Sequence, residues 1–583
     1  MKRIYDWLGL GCSILLLTQS PARAVSLFRN ILPNTQEAET LKSSSNRTIS
    51  AIHKSSIAES SSPPEFDYQD FDFWSKECHT LENAQKYTEA SAACEKAITL
   101  RPKRKNVDLW ASRSNALLQL QRYVEAIASY DRVLKIEPKN SFALTQRCEA
   151  LSALGNQEEA IANCEEAMRV DGNWVNITPA TAWFNRGIAL RQLGRNSEAL
   201  ISFERATTIS PNYSVALASQ CGVLIDLQRY EQAIQVCDNA IKTNGNWGKA
   251  KGSLAWNNKA LALFNLGRMS EAISSYEQAL LINPDDAASW DNQGMLLQKT
   301  GQYEKALISY NKATEVNPKY SRAFMHRCET LNLMQKYEDA LASCDRAFSG
   351  DKNWDNKELA YLWYQRSIAL LGLQKHEEAL DGAQRAISLK IDYAEAWSQK
   401  GVILWHSKKY EDAIVAIKKA IDLNPYYVQG WFNYGRVLSS LKEYQKAVAA
   451  YDEALREDVK SVDESILASI WANQAAALWH LQEYQLALDC TNRAIKLNPK
   501  SFEAWYNKGL VLLELGKYHE ALEAYSRAKD IDNDNAYVWT GIGMGFARSG
   551  RLEEALKAFE AALNIEPNYP VAQQQREKIL NQL

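Results

Sequence analysis

The residues best suited to chemistry in this sequence are its cysteines. Eight of the ten cysteines form four pairs in which the second residue follows the first by 16 positions. The pairs are Cys78 with Cys94, Cys148 with Cys164, Cys221 with Cys237, and Cys328 with Cys344. Two thiols at a fixed spacing can be joined in a disulfide, or they can remain free and pack as small apolar groups. Cys490 has no partner by this rule.

Patterns that support other chemistry are missing from the sequence. The seven histidines lie far apart, with no H-E-x-x-H and no C-x-x-C motif, so we predict no metal site. Neither a G-x-x-x-x-G-K-[ST] phosphate loop nor a G-x-S-x-G nucleophile motif occurs. We therefore predict a protein that is not an enzyme and that needs no cofactor.

The elements that must position the cysteines are amphipathic helices arranged in pairs. In residues 502–535, apolar and small residues recur at spacings of three and four, including Trp505 and Gly509 before a break at Gly516 and Ala521 and Tyr525 after it. Such spacings place each set on one stripe of a helix. Burying both stripes requires an antiparallel helical hairpin, which in turn must stack on copies of itself.

The rest of the chain supplies those copies. Fourteen units in register begin at residues 71, 107, 141, 180, 214, 253, 287, 321, 360, 394, 428, 468, 502 and 536. The fourth position of the unit is tryptophan in 11 units, and the twentieth is alanine in all 14, from Ala90 to Ala555. Proline at position 32, as in Pro284 and Pro499, ends many second helices because it cannot continue a helix.

These residues resemble the tetratricopeptide repeat (TPR) of bacterial multi-repeat proteins, from residue 71 to 569. The family pattern is W-x2-L-G-x2-Y, then A-x3-F, A and P, and Trp505, Gly509, Leu512, Ala521 and Tyr525 match it best. The seventh position departs from the pattern, because Arg or Lys replaces Leu in eight units. The resemblance implies an all-α fold, a right-handed α-solenoid of about 14 units. It also implies a concave groove, lined by first helices, that binds proteins or peptides.

The repeat register gives the cysteine pairs a structural meaning. Each pair occupies positions 8 and 24 of one unit, on the facing stripes of its two helices. Together with an export signal, this favours four disulfides, each within one hairpin. Two alternatives stay open: buried free thiols, and pairs that were copied when a block of sequence was duplicated.

Unit lengths point to a second local feature. Most units have 34 residues, but those that begin at Ser141, Ser214 and Ser321 have 39 and end alike in Gly-Asn-Trp or Lys-Asn-Trp. We interpret the extra residues as a longer loop and one added turn on the next helix. The matching residues Trp174, Trp247 and Trp354 either form an edge patch for a partner or cover the end of their own hairpins.

Two sets of residues are candidates for the peptide groove. Position 6 carries amides, which can pair with an extended peptide backbone because they donate and accept hydrogen bonds. Positions 12 and 13 of two units carry Trp-His pairs that are candidate aromatic anchors or additional packing residues. The predicted groove residues are Asn185, Asn258, Asn292, Asn433, Asn473, Asn507, Trp405, His406, Trp479 and His480.

The two ends of the chain differ from the repeats. Residues 1–24 have the charged start, apolar run and Ala22-x-Ala24 site of a secretory signal peptide. Residues 25–66 are rich in serine and poor in apolar residues, as in a disordered linker. Residues 570–583 are predicted to form a C-terminal capping helix.

These observations predict an exported scaffold or adaptor, periplasmic or extracellular, that binds proteins or extended peptides in its groove. The net charge of −3 gives no electrostatic footprint for nucleic acid. No membrane span is expected after signal cleavage, because the apolar run of the leader is too short. Two alternatives remain: a cytoplasmic TPR regulator, and a carbohydrate-binding or polysaccharide-export accessory suggested by the many tryptophans.

Overall fold

The computed structural model describes residues 70–102, 104–170, 172–175, 177–247, 251–456 and 463–582. The predicted signal peptide, the serine-rich linker and Cys12 lie outside the described residues. Within those residues every regular element is a helix, and there are 29 of them.

The helices alternate between the two halves of each repeat. The first helices are α1 (Phe71–Asn83), α3 (Val107–Gln119), α5 (Ser141–Ala153), α7 (Pro179–Gln192), α9 (Ser214–Asp226), α11 (Ser253–Asn265), α13 (Ala287–Lys299), α15 (Ser321–Leu333), α17 (Asn356–Gly372), α19 (Ala394–His406), α21 (Val428–Ser440), α23 (Glu464–His480), α25 (Phe502–Glu514) and α27 (Ala536–Arg548). The second helices are α2 (Tyr87–Leu100), α4 (Tyr123–Ile136), α6 (Gln157–Val170), α8 (Asn196–Ile209), α10 (Tyr230–Thr243), α12 (Met269–Ile282), α14 (Tyr303–Val316), α16 (Tyr337–Ser349), α18 (His376–Leu389), α20 (Tyr410–Leu423), α22 (Tyr444–Ala454), α24 (Tyr484–Leu497), α26 (Tyr518–Ile531) and α28 (Leu552–Ile565). The last helix is α29 (Pro570–Leu580).

The described helices belong to two compact units, one within residues 20–302 and the other within residues 303–583. In each compact unit the two helices of a repeat pack against each other, and each first helix also packs on the second helix of the preceding repeat. Each compact unit is therefore a stack of helical hairpins, the α-solenoid arrangement that the sequence predicts.

Small residues let the two helices of a hairpin approach closely. The alanine at position 20 is fully buried in all 14 repeats. Position 8 is glycine in many repeats, and a methyl group added there would overlap the side chain at position 24. Examples are Gly435 against the ring of Tyr451 and Gly509 against the ring of Tyr525. In these hairpins one slot is thus shared by a small residue and a large one.

The turn between the two helices requires a left-handed residue. Position 15 has a φ angle between 59° and 86° in all 14 repeats. Glycine occupies that position in six repeats, as in Gly516, whereas eight repeats have glutamine or lysine there, as in Gln335. A side chain in this conformation costs about 1 kcal/mol because its Cβ approaches the following carbonyl oxygen.

Replacing Gln335 by glycine is expected to raise the free energy of unfolding by about 0.5–1 kcal/mol, because glycine adopts this φ without steric cost. Denaturant melts of the pure protein measure the change. The matched control is Gly516→Gln, which lowers the stability by a similar amount, since no atom lies near its added Cβ and only the backbone is affected. Equal stability of the two variants would contradict the argument.

The tryptophans at position 4 differ from the sequence expectation of a core residue. All 11 are half-buried, and five of them reach back over the turn that precedes their own helix. The indole nitrogen donates to the carbonyl of position 32 in the preceding repeat at 2.9–3.0 Å in five repeats. The pairs are Trp290–Pro284, Trp397–Ile391, Trp431–Pro425, Trp505–Pro499 and Trp539–Asn533. The polar indole edge explains the half-burial, because it joins repeats at the surface.

The basic residue at position 7 is a second tie between repeats. In five repeats it forms an ion pair with position 25 of the preceding repeat, for example Arg147 with Asp131 at 2.8 Å and Lys259 with Asp238 at 2.6 Å. In six repeats the basic residue lies over the tryptophan at position 4, as Arg186 does over Trp183. The departure from the family leucine therefore supplies ion pairs between neighbouring repeats.

The loops that follow the 39-residue repeats fold back onto their own hairpins. The hydroxyl of Ser141 accepts a hydrogen bond from the backbone of Gly172 at 2.9 Å, and that of Ser214 accepts one from Gly245 at 2.8 Å. The predicted added turn is present in α17, which begins four residues before its repeat, but the prediction is wrong for α7 and α11. There the extra residues remain in the loop.

The last helix makes the same contacts at positions 4 and 7 as the first helix of a repeat. Gln573, at position 4, donates to the carbonyl of Pro567 at 2.9 Å, and Arg576, at position 7, pairs with Glu560 at 3.7 Å. Ala572 and Ile579 are buried, whereas most of the other residues of α29 are exposed. This arrangement covers the end of the last complete hairpin with a polar surface.

Candidate functional site

The structure brings the two cysteines of every predicted pair together. The sulfur atoms are at disulfide distance, and the Cα atoms are 4.8, 5.6, 5.5 and 5.4 Å apart in chain order. All eight cysteines are fully buried between the two helices of their hairpins. They occupy the slot that a glycine and an aromatic ring share in repeats such as Gly509 with Tyr525.

Two features accompany each cysteine pair. The residue after the second cysteine is acidic in all four, and it pairs with position 7 of the next repeat, as Glu165 does with Arg186 and Asp345 with Arg366. The repeat is also longer than 34 residues in every case. The tryptophan at position 4 of each following repeat therefore comes after a lengthened loop. Three residues further on, the basic residue at position 7 forms the ion pair that joins the two repeats.

The lone thiol of Cys490 has a different environment. It is buried, and its Sγ lies 3.6 Å from the Oε1 atom of Gln474. Burial raises the pKa of this thiol to about 12. The thiol is therefore protonated at neutral pH and is a poor nucleophile.

The tryptophans of the three long loops pack against buried apolar clusters. Trp174 contacts the cluster around Leu144 and Ala167, and Trp247 and Trp354 also lie against buried clusters. All three are half-buried. This packing favours the interpretation in which each tryptophan covers the end of its hairpin.

The predicted groove amides lie largely between repeats. Asn185, Asn258, Asn433 and Asn507 are at most 6% exposed. The amide nitrogen of each donates to position 5 of the preceding first helix, for example from Asn258 to the carbonyl of Ala218 at 2.8 Å. The structure therefore differs from the expected peptide track, because these amides are already bonded to protein. Asn292 and Asn473 are half-buried, and Asn473 donates to its own helix at Ser469.

Replacing Asn258 by alanine is expected to lower the free energy of unfolding by about 1–2 kcal/mol, because a buried hydrogen bond between repeats is lost and a small cavity is left. Chemical denaturation measures the change. The matched control is Asn473→Ala, whose amide is half-buried and bonded within its own helix. A larger loss in the control would contradict a role of Asn258 between repeats.

The two Trp-His pairs also contact neighbouring repeats. The ring of His406 stacks on His376 with centroids 6.2 Å apart, and that of His480 stacks on Tyr444 at 4.2 Å. The indole nitrogen of Trp405 donates to the Ser440 hydroxyl at 2.8 Å, and the Arg436 guanidinium lies 4.4 Å from the Trp405 ring centroid. All four predicted residues are half-buried, so packing accounts for part of each side chain and the rest is exposed.

Burial lowers the pKa of His406 and of His480 from 6.5 to about 4, and the charges of Arg436 and His376 add to the effect at His406. Below pH 6.5 the unfolded chain binds protons that these folded imidazoles do not bind. Stability is therefore expected to fall between about pH 6.5 and about pH 4, by on the order of 1 kcal/mol per histidine after solvent screening.

Thermal melts across this pH range test the prediction. His406→Gln and His480→Gln are expected to flatten the pH dependence, because glutamine does not titrate. The control is His519→Gln on an exposed side chain, which leaves the profile unchanged. A profile that is the same in all three variants would contradict the assignment.

A surface that sequence reasoning missed runs along the first helices from α17 to α27. Positions 9 and 12 lie one helical turn apart, and here they are mainly apolar and partly exposed. We call this surface the nine–twelve row. Its half-buried apolar members are Ile368, Leu371, Trp405, Ala476, Trp479, Leu510, Met544 and Ala547. The signal that could have revealed it is the recurrence of these residues at the repeat period.

The described residues contain neither a metal cluster nor a membrane-spanning helix. No three histidine, cysteine, aspartate or glutamate side chains cluster there in a way that could hold a metal ion. No described helix combines the length and the apolar character that crossing a membrane requires.

Comparison with known proteins gives consistent family matches. Models described as "Tetratricopeptide repeat" match residues 107–140, 180–213, 253–286, 287–320, 394–427, 416–449, 472–536 and 536–569. The chain is 30% identical over 146 residues to "Anaphase-promoting complex subunit 3" of Schizosaccharomyces pombe. That match covers 25% of this chain, which thus spans only a fifth (20%) of the length of that relative.

Three solved structures are among those similar to this chain. The "APC/C hetero-tetramer Cut9-Hcn1" structure matches 88% of this chain and 96% of that chain, with 15% identity and a TM-score of 0.42. The structure of "YrrB: a TPR protein with an unusual peptide-binding site" matches 34% of this chain and 99% of that chain, with 22% identity and a TM-score of 0.28. "MamA" matches 29% of this chain and 94% of that chain, with 25% identity and a TM-score of 0.26.

Proposed function

This chain belongs to the tetratricopeptide repeat family, and from that premise we propose that it is an exported scaffold that binds other proteins or extended peptides along its first helices. The observation that supports binding is the nine–twelve row. Hydrophobic side chains that stay partly exposed on five of these six first helices can bury further area against a partner.

The polar residues around the row indicate which kind of side chain a partner must contribute. Arg436 interrupts the row at position 9 of α21, and its guanidinium lies over Trp405. The amides at position 6 are mostly engaged between repeats, so they contribute to the rigidity of the surface rather than to ligand contacts. The row thus favours a partner with apolar side chains along an extended or helical segment.

Export is supported by the N-terminal signal pattern and by the four cysteine pairs at disulfide distance. Disulfides persist in oxidising compartments and are rare in the cytosol. N-terminal sequencing of the mature protein tests this part of the proposal, with Val25 as the expected first residue. An intact N-terminus on a cytoplasmic protein would favour the alternative of a cytoplasmic regulator.

Site-specific photocrosslinking tests the binding surface. A photoreactive residue at Leu510 or Met544, in the row, is expected to capture partner proteins in the exporting cell. The matched control is the same residue at Val415 or Leu486, which are 69% and 55% exposed on second helices. The variants Leu510→Arg and Met544→Glu should abolish capture from the row. Equal labelling from both surfaces would overturn the assignment.

A further inference from the structure

We propose that the chain is the substrate of a disulfide-bearing oxidant, which acts before the hairpins pack and joins the cysteines in chain order without later rearrangement. This inference rests on the proposed function only in that it places the chain in an oxidising compartment. The partner is identified by its chemistry: a protein or small molecule that exchanges its own disulfide with the thiols of this chain.

The burial of the sulfur atoms indicates when oxidation must occur. All eight paired cysteines are 0% exposed, enclosed between the two helices of their hairpins. Exchange requires a thiolate to reach the sulfur of the oxidant, which is impossible at these positions in the packed repeat. The oxidant therefore acts on hairpins that are still open.

The order of pairing indicates that no rearrangement is required. Eight cysteines can be joined in about 105 ways, and the structure uses the one in which each cysteine is joined to its next neighbour along the chain. Every native partner is 16 residues away, whereas Cys94 is 54 residues from Cys148 and Cys164 is 57 from Cys221. From the loop-length dependence, the native loop closes roughly sixfold more readily than the next.

After removal of the predicted leader, the cysteines follow one another along the chain as native pairs. With residues 1–24 absent, Cys12 is lost and Cys78 becomes the first cysteine of the chain. Cys490 follows all four pairs and is separated from Cys344 by 146 residues. A chain that emerges into an oxidising compartment from its N-terminus thus presents native partners consecutively.

The reaction is two successive exchanges. The thiolate of one cysteine attacks a sulfur of the oxidant disulfide, which forms a mixed disulfide and releases one oxidant thiolate. The thiolate of the paired cysteine then attacks the sulfur of this chain in the mixed disulfide and releases the second oxidant thiolate. The chain loses two electrons and the oxidant gains them, and the two thiol protons end on the reduced oxidant.

The packing slot explains why oxidation precedes stable folding. In hairpins such as α25–α26, the ring of Tyr525 fills the space beside Gly509. The cysteine hairpins lack this ring, so in the reduced state two small side chains occupy the slot and less apolar surface is buried there. A reduced cysteine hairpin is therefore held less firmly, which leaves its thiols open to exchange.

Oxidative refolding of the full chain without residues 1–24 tests the proposal. The reduced, unfolded chain is diluted into native buffer, and oxidised glutathione is added either at once or after one hour. Samples are alkylated over time, and the pairs are identified by mass spectrometry. With early addition we expect the four native pairs to form directly, with Cys490 free. In the late arm, thiols that have become packed are expected to react at least tenfold more slowly.

Each outcome bears on the proposal. If the reduced chain fails to pack within the hour, fast oxidation in both arms to native pairs supports it, because oxidation then precedes packing. It is overturned if pairs such as Cys94 with Cys148 dominate early and rearrange later. It is also overturned if a chain shown by circular dichroism and protease resistance to be fully packed reacts as fast as the unfolded one. The Cys490→Ala variant is the control and should give the same kinetics.

These measurements are independent of export and of partner binding. A chain that pairs natively in solution but keeps its leader in the cell would contradict the proposed location and leave the pairing mechanism intact. Conversely, rearrangement in solution would overturn the mechanism and leave the binding surface on the first helices untouched.

Discussion

Replacing both Cys221 and Cys237 by alanine is expected to lower the free energy of unfolding of the oxidised protein by about 3 kcal/mol. A disulfide that closes a short loop restricts the unfolded chain, and its removal restores that entropy. The packing adds to the loss, because hairpin α9–α10 has no aromatic ring in the slot that the sulfurs occupy. Denaturant melts with circular dichroism measure the change.

Two comparisons isolate the contribution of the bond. Reductant opens all four bonds of the wild-type protein but only three in the Cys221→Ala/Cys237→Ala variant, so it should lower the stability of the wild-type protein by about 3 kcal/mol more than that of the variant. Cys490→Ala removes a buried thiol without removing a bond, and its effect is expected to stay below about 1 kcal/mol. A double variant as stable as the native protein in oxidising buffer would show that the bond contributes nothing.

The repeat period was sufficient to predict the helices and the hairpin core. The alanines at position 20, such as Ala521, are all fully buried, because a close crossing of two helices excludes larger side chains. The spacing of 16 likewise placed both cysteines of a pair on facing stripes, and the structure brings them together. These features depend only on contacts within one repeat, which periodicity describes directly.

Contacts between repeats were harder to predict. The sequence placed Trp505 in the core and Asn507 in a groove, but the tryptophan lies over the preceding turn and the amide bonds to the carbonyl of Ala472. A helical stripe identifies which residues share a face. It does not identify whether that face meets its own hairpin, the next repeat or a ligand. The basic residues at position 7 were the available signal, because they mark the surface where repeats meet.

The positions that hold the cysteine pairs correspond to Gly435 and Tyr451 in another repeat, and a second large effect is expected there. A methyl group at Gly435 would overlap the Tyr451 ring, so Gly435→Ala is expected to cost about 1–2 kcal/mol despite the better helix propensity of alanine. Gly435→Cys alone should be at least as destabilising, because its side chain is larger and has no partner.

Combining Gly435→Cys with Tyr451→Cys should remove the overlap with the ring and give the new thiol a partner. The pair then occupies positions 8 and 24, the slot in which four native pairs have Cα separations of 4.8–5.6 Å, within the range for a disulfide. We expect a fifth bond, and the difference in stability between the oxidised and the reduced protein should be about 3 kcal/mol larger than in the chain with only the four native pairs. Alkylation and mass spectrometry count the free thiols, and denaturant melts in both redox states measure the gain.

The matched control is Gly435→Ser with Tyr451→Ser, which fills the slot similarly but forms no bond there. Reduction should therefore change the stability of the control only through the four native pairs. If the new cysteines stay reduced under conditions that oxidise the native pairs, the repeats do not share one hairpin geometry. The native pairs would then form because of local features of the long repeats.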